Sequence, residues 1–208
     1  INIILWLNCF MKICIATENP GKLEEFLSIL NGLPFEFVTA RQLGIKLHAE
    51  ETGNTYRENA QIKAHLYAKR TGLPALADDT GLEVQALQGA PGLHSKRYLP
   101  DPGATDADRR KFLISNLQLF PRPWKARFTC TVCVALPDGS EWFTSGECKG
   151  EIIPEERGEN GFGYDRIFLL QPQGMTMAEL SPAQKNTLSH RARAVVAAIP
   201  ILNRLNKE

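Results

Sequence analysis

The strongest constraint on this chain's fold is a repeated change of hydrophobic period through its first half. Ile13 to Ala16 is a short continuous apolar run, the length of a buried strand. Leu23, Phe26, Leu27 and Leu30 then recur at i, i+3, i+4 and i+7, the spacing of an amphipathic helix, with Asn19 as N-cap, Pro20 at the first helical position and Gly32 past the end. A second strand and a loop lead to Thr55 and Glu58, which read as a capping box for a helix reaching about Arg70. Ala60, Ala64, Tyr67 and Ala68 form its small-residue packing face, Asn59 and Lys63 are neighbours one turn apart, and Gly72 and Pro74 end it. Strands alternating with helices in this way predict α/β layering. Later, Ala126 to Leu136 and Ser140 to Ile153 flank Pro137-Asp138-Gly139 and read as a long antiparallel pair carrying the sheet into a second lobe. A cleft between two lobes is a natural site for a small ligand.

Three further helices follow from the same signals. Thr105 caps one carrying Phe112, Leu113, Asn116 and Leu117, with Asp106 and Asp108 in its first turn, and it reads as purely structural. Ser181-Pro182 opens a short helix bearing Lys185 and Asn186. Ser189 caps the last, with Ala192, Val195, Val196 and Ile199 expected inward and Pro200 expected to bend or end it.

Composition excludes several classes. With 208 residues, a net charge of +1 and 23% charged residues, the chain carries no global footprint for nucleic acid or a membrane surface, so any anionic ligand must be held locally. Five cysteines are an odd number, which argues against a secreted disulfide framework and for a reducing, cytoplasmic compartment. Cys130 and Cys133 form a C-x-x-C on a strand, where residues three apart face opposite sides, so they read as core thiols rather than a metal pair. Residues 1–10 are apolar but too short to span a bilayer, and they lack the basic start and cleavage site of a signal peptide. Met11 looks like the start of the first strand, so residues 1–10 are expected to be an extension, native or artefactual, ahead of a single domain over 11–208.

The candidate chemistry centres on Ala77-Asp78-Asp79-Thr80-Gly81. Side chains alternate along a strand, so the two carboxylates cannot share a direction. One is expected inward or sideways and the other at the strand's end, where α/β proteins build their sites. Carboxylates and hydroxyls suit Mg²⁺, while the plainer alternative is a solvated turn bonding its own backbone. Thr17 to Lys22 places free backbone N–H groups and an ammonium at a helix start, which suits phosphate oxygens, although taken in isolation an ordinary capped helix with a surface lysine is the favoured reading. Glu50 and Glu51 are either further metal carboxylates or a charge pair complementing the next helix dipole. Lys96 and Arg97 either add charge near phosphates or form a solvated face. Phe162, between Gly161 and Gly163, is either an exposed platform for a flat base or a core residue, with Asp165 as an acceptor nearby.

Seven blocks occur in order: Thr17-x-Asn19-x-x-Lys22, Glu50-Glu51-Thr52-Gly53, Glu58-Asn59-Ala60-x-x-Lys63-Ala64, Ala77-Asp78-Asp79-Thr80-Gly81-Leu82-x-Val84, Gly89-Ala90-Pro91-Gly92, Gly161-Phe162-Gly163-Tyr164-Asp165 and Lys185-Asn186-x-x-Ser189-His190-Arg191. Together they resemble the signature of the XTP/dITP diphosphatases, also called inosine triphosphate pyrophosphatases, from Met11 to about Ala198. The resemblance implies an elongated mixed sheet in two lobes around a central nucleotide cleft, a homodimer, and Mg²⁺-dependent release of pyrophosphate from non-standard purine nucleotides. It implies phosphates on Thr17, Glu18, Asn19, Pro20, Gly21 and Lys22, with Lys63 and Thr80 also toward substrate, and metal on Asp79 and Glu50. Asp79 would also activate water. The base is implied over Phe162 and its loop, Gly163, Tyr164 and Asp165, with Lys185, His190 and Arg191 around its edge. Three residues depart from the family pattern: Thr80 stands where Ser is usual, Glu18 where Gly is common and Arg166 where Pro is common.

Hypoxanthine and xanthine present an N1–H donor and an O6 acceptor, the reverse of adenine. A carboxylate such as Asp165 at N1, with Arg191 or a backbone N–H at O6, would therefore discriminate against adenine. Two rivals fit parts of the pattern: a nucleotide pyrophosphatase of the septum-inhibitor type, and a nucleotide-sensing module without catalysis.

Overall fold

The computed structural model describes residues 10–206, so the extension expected at the start lies, apart from exposed Phe10, outside the described residues. One mixed sheet of eight strands runs through the molecule. Its strands are β1 (Met11–Ile15), β2 (Phe35–Val38), β3 (Ala75–Val84), β4 (Pro91–Gly92), β5 (Trp124–Ala135), β6 (Glu141–Ile152), β7 (Phe168–Leu170) and β8 (Met175–Thr176). The spatial order is β2-β1-β3-β5-β6-β7-β8, with β4 on β3. β1 pairs in parallel with β2 and β3, and every other pairing is antiparallel. Among the described residues five α-helices flank it: α1 (Pro20–Ile29), α2 (Tyr56–Thr71), α3 (Asp106–Leu117), α4 (Pro182–Leu188) and α5 (His190–Leu205).

The two-residue period of the strands sorts the core into layers. Ile13, Ile15, Leu76, Cys130, Val132 and Val134 pack with Phe26 of α1 and Val195 and Ala198 of α5. Their neighbours Cys14, Ala75, Ala77, Cys133 and Ala135 face Ala60, Ala64 and Ala68 of α2, where small residues let that helix lie close. A third cluster, with Leu82, Val84, Leu113, Trp124, Phe128 and Phe168, fills the other end of the sheet beneath α3. The long strands β3, β5 and β6 thus join two lobes with separate cores. Cys130 and Cys133 fall on opposite faces, as the strand period requires.

Several local expectations hold in detail. Asn19 Oδ1 accepts from the Lys22 N–H at 3.2 Å, and Thr55 Oγ1 accepts from the Glu58 N–H at 3.1 Å. The Glu58 carboxylate reaches back to the N–H of Asn54 rather than Thr55. Two details differ. α5 does not end at Pro200 but runs on to Leu205, with Ile201, Leu202 and Leu205 beyond the proline buried against the core. Val196 is exposed, and the inward face of α5 uses Ala194, Val195 and Ala198 instead.

Candidate active site

β1 pairs with β3 only through Cys14–Ala75 and Ile15–Leu76, whereas β3 remains paired to β5 from Ala75 to Val84. Between Leu76 and Leu82, one edge of β3 therefore has no strand beside it among the described residues, and the site lies outside the carboxyl end of β1. The loop from Thr17 to the first turn of α1 lines it. Asp78 and Asp79 lie mid-strand there rather than at the strand's end, because β5 holds β3 extended through both of them and on past Gly81.

The alternation of β3 hands each carboxylate to a different helix pair. Asp78 lies on the Leu76 side, facing α1 and α5. Its Oδ2 accepts from Lys22 Nζ at 3.0 Å, from Arg191 Nε and Nη2 at 3.2 and 3.1 Å, and from Thr80 Oγ1 at 2.7 Å. The Cys130 thiol also points at it, 3.7 Å away. Burial opposes ionisation of Asp78, but Lys22, Arg191 and Lys63, with the Thr80 hydroxyl, outweigh it and hold the carboxyl well below the usual carboxylate range. Its Oδ1 is buried without a hydrogen-bond partner among the described residues.

Asp79 lies on the Ala77 side, facing α2. Its Oδ2 accepts from Asn59 Nδ2 at 3.1 Å and its Oδ1 from Lys63 Nζ at 3.3 Å. Lys63 gives its shorter bond, 2.6 Å, to Glu51 Oε1. Burial raises the Asp79 carboxyl above its ordinary value, with Lys63 and Lys22 pulling against it and Glu51 reinforcing it. One ammonium shared by two carboxylates does not fully offset burial. The two neighbouring acids are therefore shifted in opposite directions, Asp78 down and Asp79 up, a pattern expected where acid–base roles differ.

Glu50 is exposed and makes no side-chain hydrogen bond or ion pair among the described residues, whereas Glu51 is drawn toward Asp79 by Lys63. Of the two adjacent acids Glu51, not Glu50, reaches Lys63 beside Asp79, because residues adjacent in an extended segment point apart. Arg97 is exposed but close enough to act electrostatically on Glu51. Glu18, the departure in the first loop, turns to solvent and pairs with His48 at 2.9 Å.

A chain of buried charges links this crevice to the glycine-rich loop. Arg191, 1% exposed, also donates from Nη1 to Glu25 of α1. Lys185 donates to Glu25 Oε1 at 2.7 Å and to Asp165 Oδ2 at 2.5 Å. Asp165 Oδ2 also accepts the Phe162 N–H at 2.9 Å. Asp165, nearly buried, thus spends Oδ2 on organising the loop and holding Lys185. Phe162 is half-buried. A Cβ on Gly21 would come within 2.6 Å of its ring, so only glycine lets α1 lie so close to it. Lys185 Nζ and the Arg191 guanidinium carbon are 5.0 and 5.8 Å from the ring centroid. His190 stacks on Phe128 at 4.7 Å, fully buried and away from solvent. Burial, with Arg191 and Lys185 nearby, pushes its pKa well below the ordinary value, so the ring is neutral.

The model of the Ham1 family matches residues 13–201. The chain belongs to the Ham1 family. It is 44% identical over 185 residues to the dITP/XTP pyrophosphatase of Geobacter sulfurreducens, covering 88% of this chain and 92% of that one. It is 45% identical to the dITP/XTP pyrophosphatase of Haemophilus influenzae, covering 88% and 95%. Among solved structures, a HAM1 protein from Coxiella burnetii superposes with a TM-score of 0.84 at 39% identity, covering 93% of this chain and 99% of that one.

Within this Ham1 chain, Lys22, Thr80 and Arg191 meet at Asp78, Lys63 meets Asp79, and Glu25 joins Arg191 to Lys185, Asp165 and the Phe162 ring. Sequence reasoning missed Glu25 as a site-forming group, and singled out Asn59 and Asp78 without giving either a role in the site. Glu25 lies one turn beyond Lys22 on α1, and Asn59 one turn before Lys63 on α2, so helical spacing from the chosen lysines was the available signal. It also read α3 as scaffold alone, whereas Asp106 Oδ2 accepts the Gly163 N–H at 2.8 Å. No helix among the described residues is long and apolar enough to cross a membrane.

Proposed function

We propose that the chain hydrolyses non-standard purine nucleoside triphosphates (ITP, dITP and XTP) to the monophosphate and pyrophosphate, a reading supported by relatives named dITP/XTP pyrophosphatase. The observation that carries this reading is the split environment of Asp78 and Asp79 beside a phosphate-suited helix start. A triphosphate is protected by its own charge, so the protein must neutralise the tail and present a nucleophile. Lys22, fixed by Asp78, and the Gly21 N–H, which lacks a helical partner, suit the phosphate oxygens. Asp79, whose carboxyl burial raises above its ordinary value, takes the proton of the attacking water as the bond between the α-phosphorus and its bridging oxygen breaks. Phe162 offers a face to the purine, and Lys185 and Arg191, locked by Glu25, lie beside that face.

Mg²⁺ fits the donor set. Among the described residues no three His, Cys, Asp or Glu side chains gather to cage a metal, but Asp79 and Glu51 converge on one cation, Lys63. Mg²⁺ commonly takes one or two protein carboxylates and completes its shell from water and phosphates. When bound by Asp79 and Glu51 it would supply further charge neutralisation at the phosphates. Lys63 holds both carboxylates in place for it.

A homodimer, a cytoplasmic location and a single catalytic domain from residue 11 onward belong to the same reading, on the family resemblance. The test is pyrophosphate release from ITP, XTP, GTP, ATP and UTP, with and without Mg²⁺. Rapid release from ITP and XTP alone, lost without Mg²⁺ and lost in Asp79→Asn, is the expected result. A preference for UTP would point to the septum-inhibitor type, and nucleotide binding without any turnover to a sensing module.

A further inference from the structure

Gly163 follows the proposed base platform and sits in the left-handed region at φ +61°, where side chains are strained although nothing lies within 4 Å of a Cβ there. Both of its backbone polar groups are taken by α3, far away in sequence. Its N–H donates to Asp106 Oδ2 at 2.8 Å, and its C=O accepts from Arg110 Nη1 at 2.8 Å. Each clamp is itself oriented. Asp106 Oδ1 accepts from Arg109 Nη2 at 2.6 Å. Arg110 spends Nε and Nη2 on the Glu156 carboxylate, at 2.8 and 2.9 Å, which leaves Nη1 aimed at Gly163. Arg110 is nearly buried, and Arg166, the departure from the family pattern, approaches the same Glu156 carboxylate at 3.8 Å. A cavity of about 330 Å³ lies here, lined by Thr105, Asp106 and Arg110 on one side and Asn160, Phe162 and Arg166 on the other. Across it, loop and helix are joined by hydrogen bonds rather than by continuous packing.

We propose that Asp106 and Arg110 are positioning residues for base recognition: by gripping Gly163 they hold the Phe162 ring where a purine can stack. The inference rests on Phe162 being the base platform. Bonds from charged side chains to backbone are stronger than neutral ones, and they are the only links from α3 to Gly163 among the described residues.

The test is steady-state kinetics with ITP for the wild type, D106A, D106N, R110Q, F162A and the double variant D106A/F162A. Thermal unfolding of each reports on folding. D106A and F162A should each raise KM by about tenfold or more with kcat within about twofold. D106N keeps an acceptor oxygen and should recover most of the lost affinity. In the F162A background, D106A should change KM by less than about twofold, since a residue acting through the ring has nothing left to position. Should D106A fail to fold, R110Q, which removes the other clamp at a partly solvated Glu156, carries the same expectation. KM unmoved by D106A and R110Q while F162A raises it overturns the proposal and leaves the platform intact. Effects of D106A and F162A that simply multiply also overturn it. An unmoved KM in F162A removes the platform itself.

Discussion

Asp78→Asn isolates the charge that joins the phosphate loop to the last helix. The carboxylate, 1% exposed, receives Lys22, both the Nε and Nη2 of Arg191, and Thr80 on a single oxygen. An amide keeps the shape but removes the charge and offers an NH₂ group among donors. Arg191 is then left in the interior with Glu25 as its remaining anionic partner. Removing one member of a buried pair typically costs about 3–5 kcal/mol; because Glu25 remains, the lower end, about 3 kcal/mol, applies. For a chain of this size that corresponds to a fall in Tm of roughly 6–12 °C. Urea unfolding of both proteins at pH 7 measures the difference directly. The pH dependence gives a second check. Because the folded state holds the Asp78 carboxyl below its unfolded value, its stabilisation is fully present above the unfolded pKa of about 4 and is lost as pH falls toward the lower folded value. The gap between the two proteins should therefore be constant from neutral pH down to about pH 5 and shrink below about pH 4. A loss under about 1 kcal/mol at pH 7, or a gap that does not close in acid, would refute the reasoning.

Glu51→Gln should raise the Mg²⁺ concentration for half-maximal pyrophosphate release by about tenfold, as for one lost carboxylate ligand, while Glu50→Gln leaves it unchanged; the reverse pattern restores Glu50 as the ligand. His190 should stay neutral from pH 8 to pH 6, with its ring ¹⁵N shifts flat across that range, because burial and two nearby cations depress its folded pKa. By linkage, its contribution to stability is present above the unfolded value of about 6.5 and is lost as pH falls below it. A midpoint near 6.5 in the folded protein would show the ring open to solvent. Thr80→Ala should weaken the hold on Asp78 by about 1 kcal/mol in urea unfolding, the scale of one hydrogen bond, whereas Thr80→Ser, which keeps the hydroxyl, should cost less.

Local sequence signals carried the elements and much of the site. The Asn19, Thr55, Thr105 and Ser181 caps, the two-residue alternation of β5, and the opposition of Asp78 and Asp79 all follow from interactions within a few residues, which a linear reading can see. The glycines around Phe162 and the motif order pointed to a nucleotide site for the same reason.

What each charged group meets was decided only by the tertiary fold. Arg191 and Glu25 are 166 residues apart, Arg110 and Gly163 53, and Lys22 and Asp78 56. Nothing in the spacing near any of them names its partner. Whether Glu50 or Glu51 turns inward depends on where Lys63 arrives from α2, and whether β3 stops at its carboxylates depends on how far β5 pairs alongside it. Periodicity assigns a side chain to a face, because that is set by its own backbone. Packing of elements distant in sequence supplies the counter-charge, and with it the protonation state on which the proposed chemistry depends.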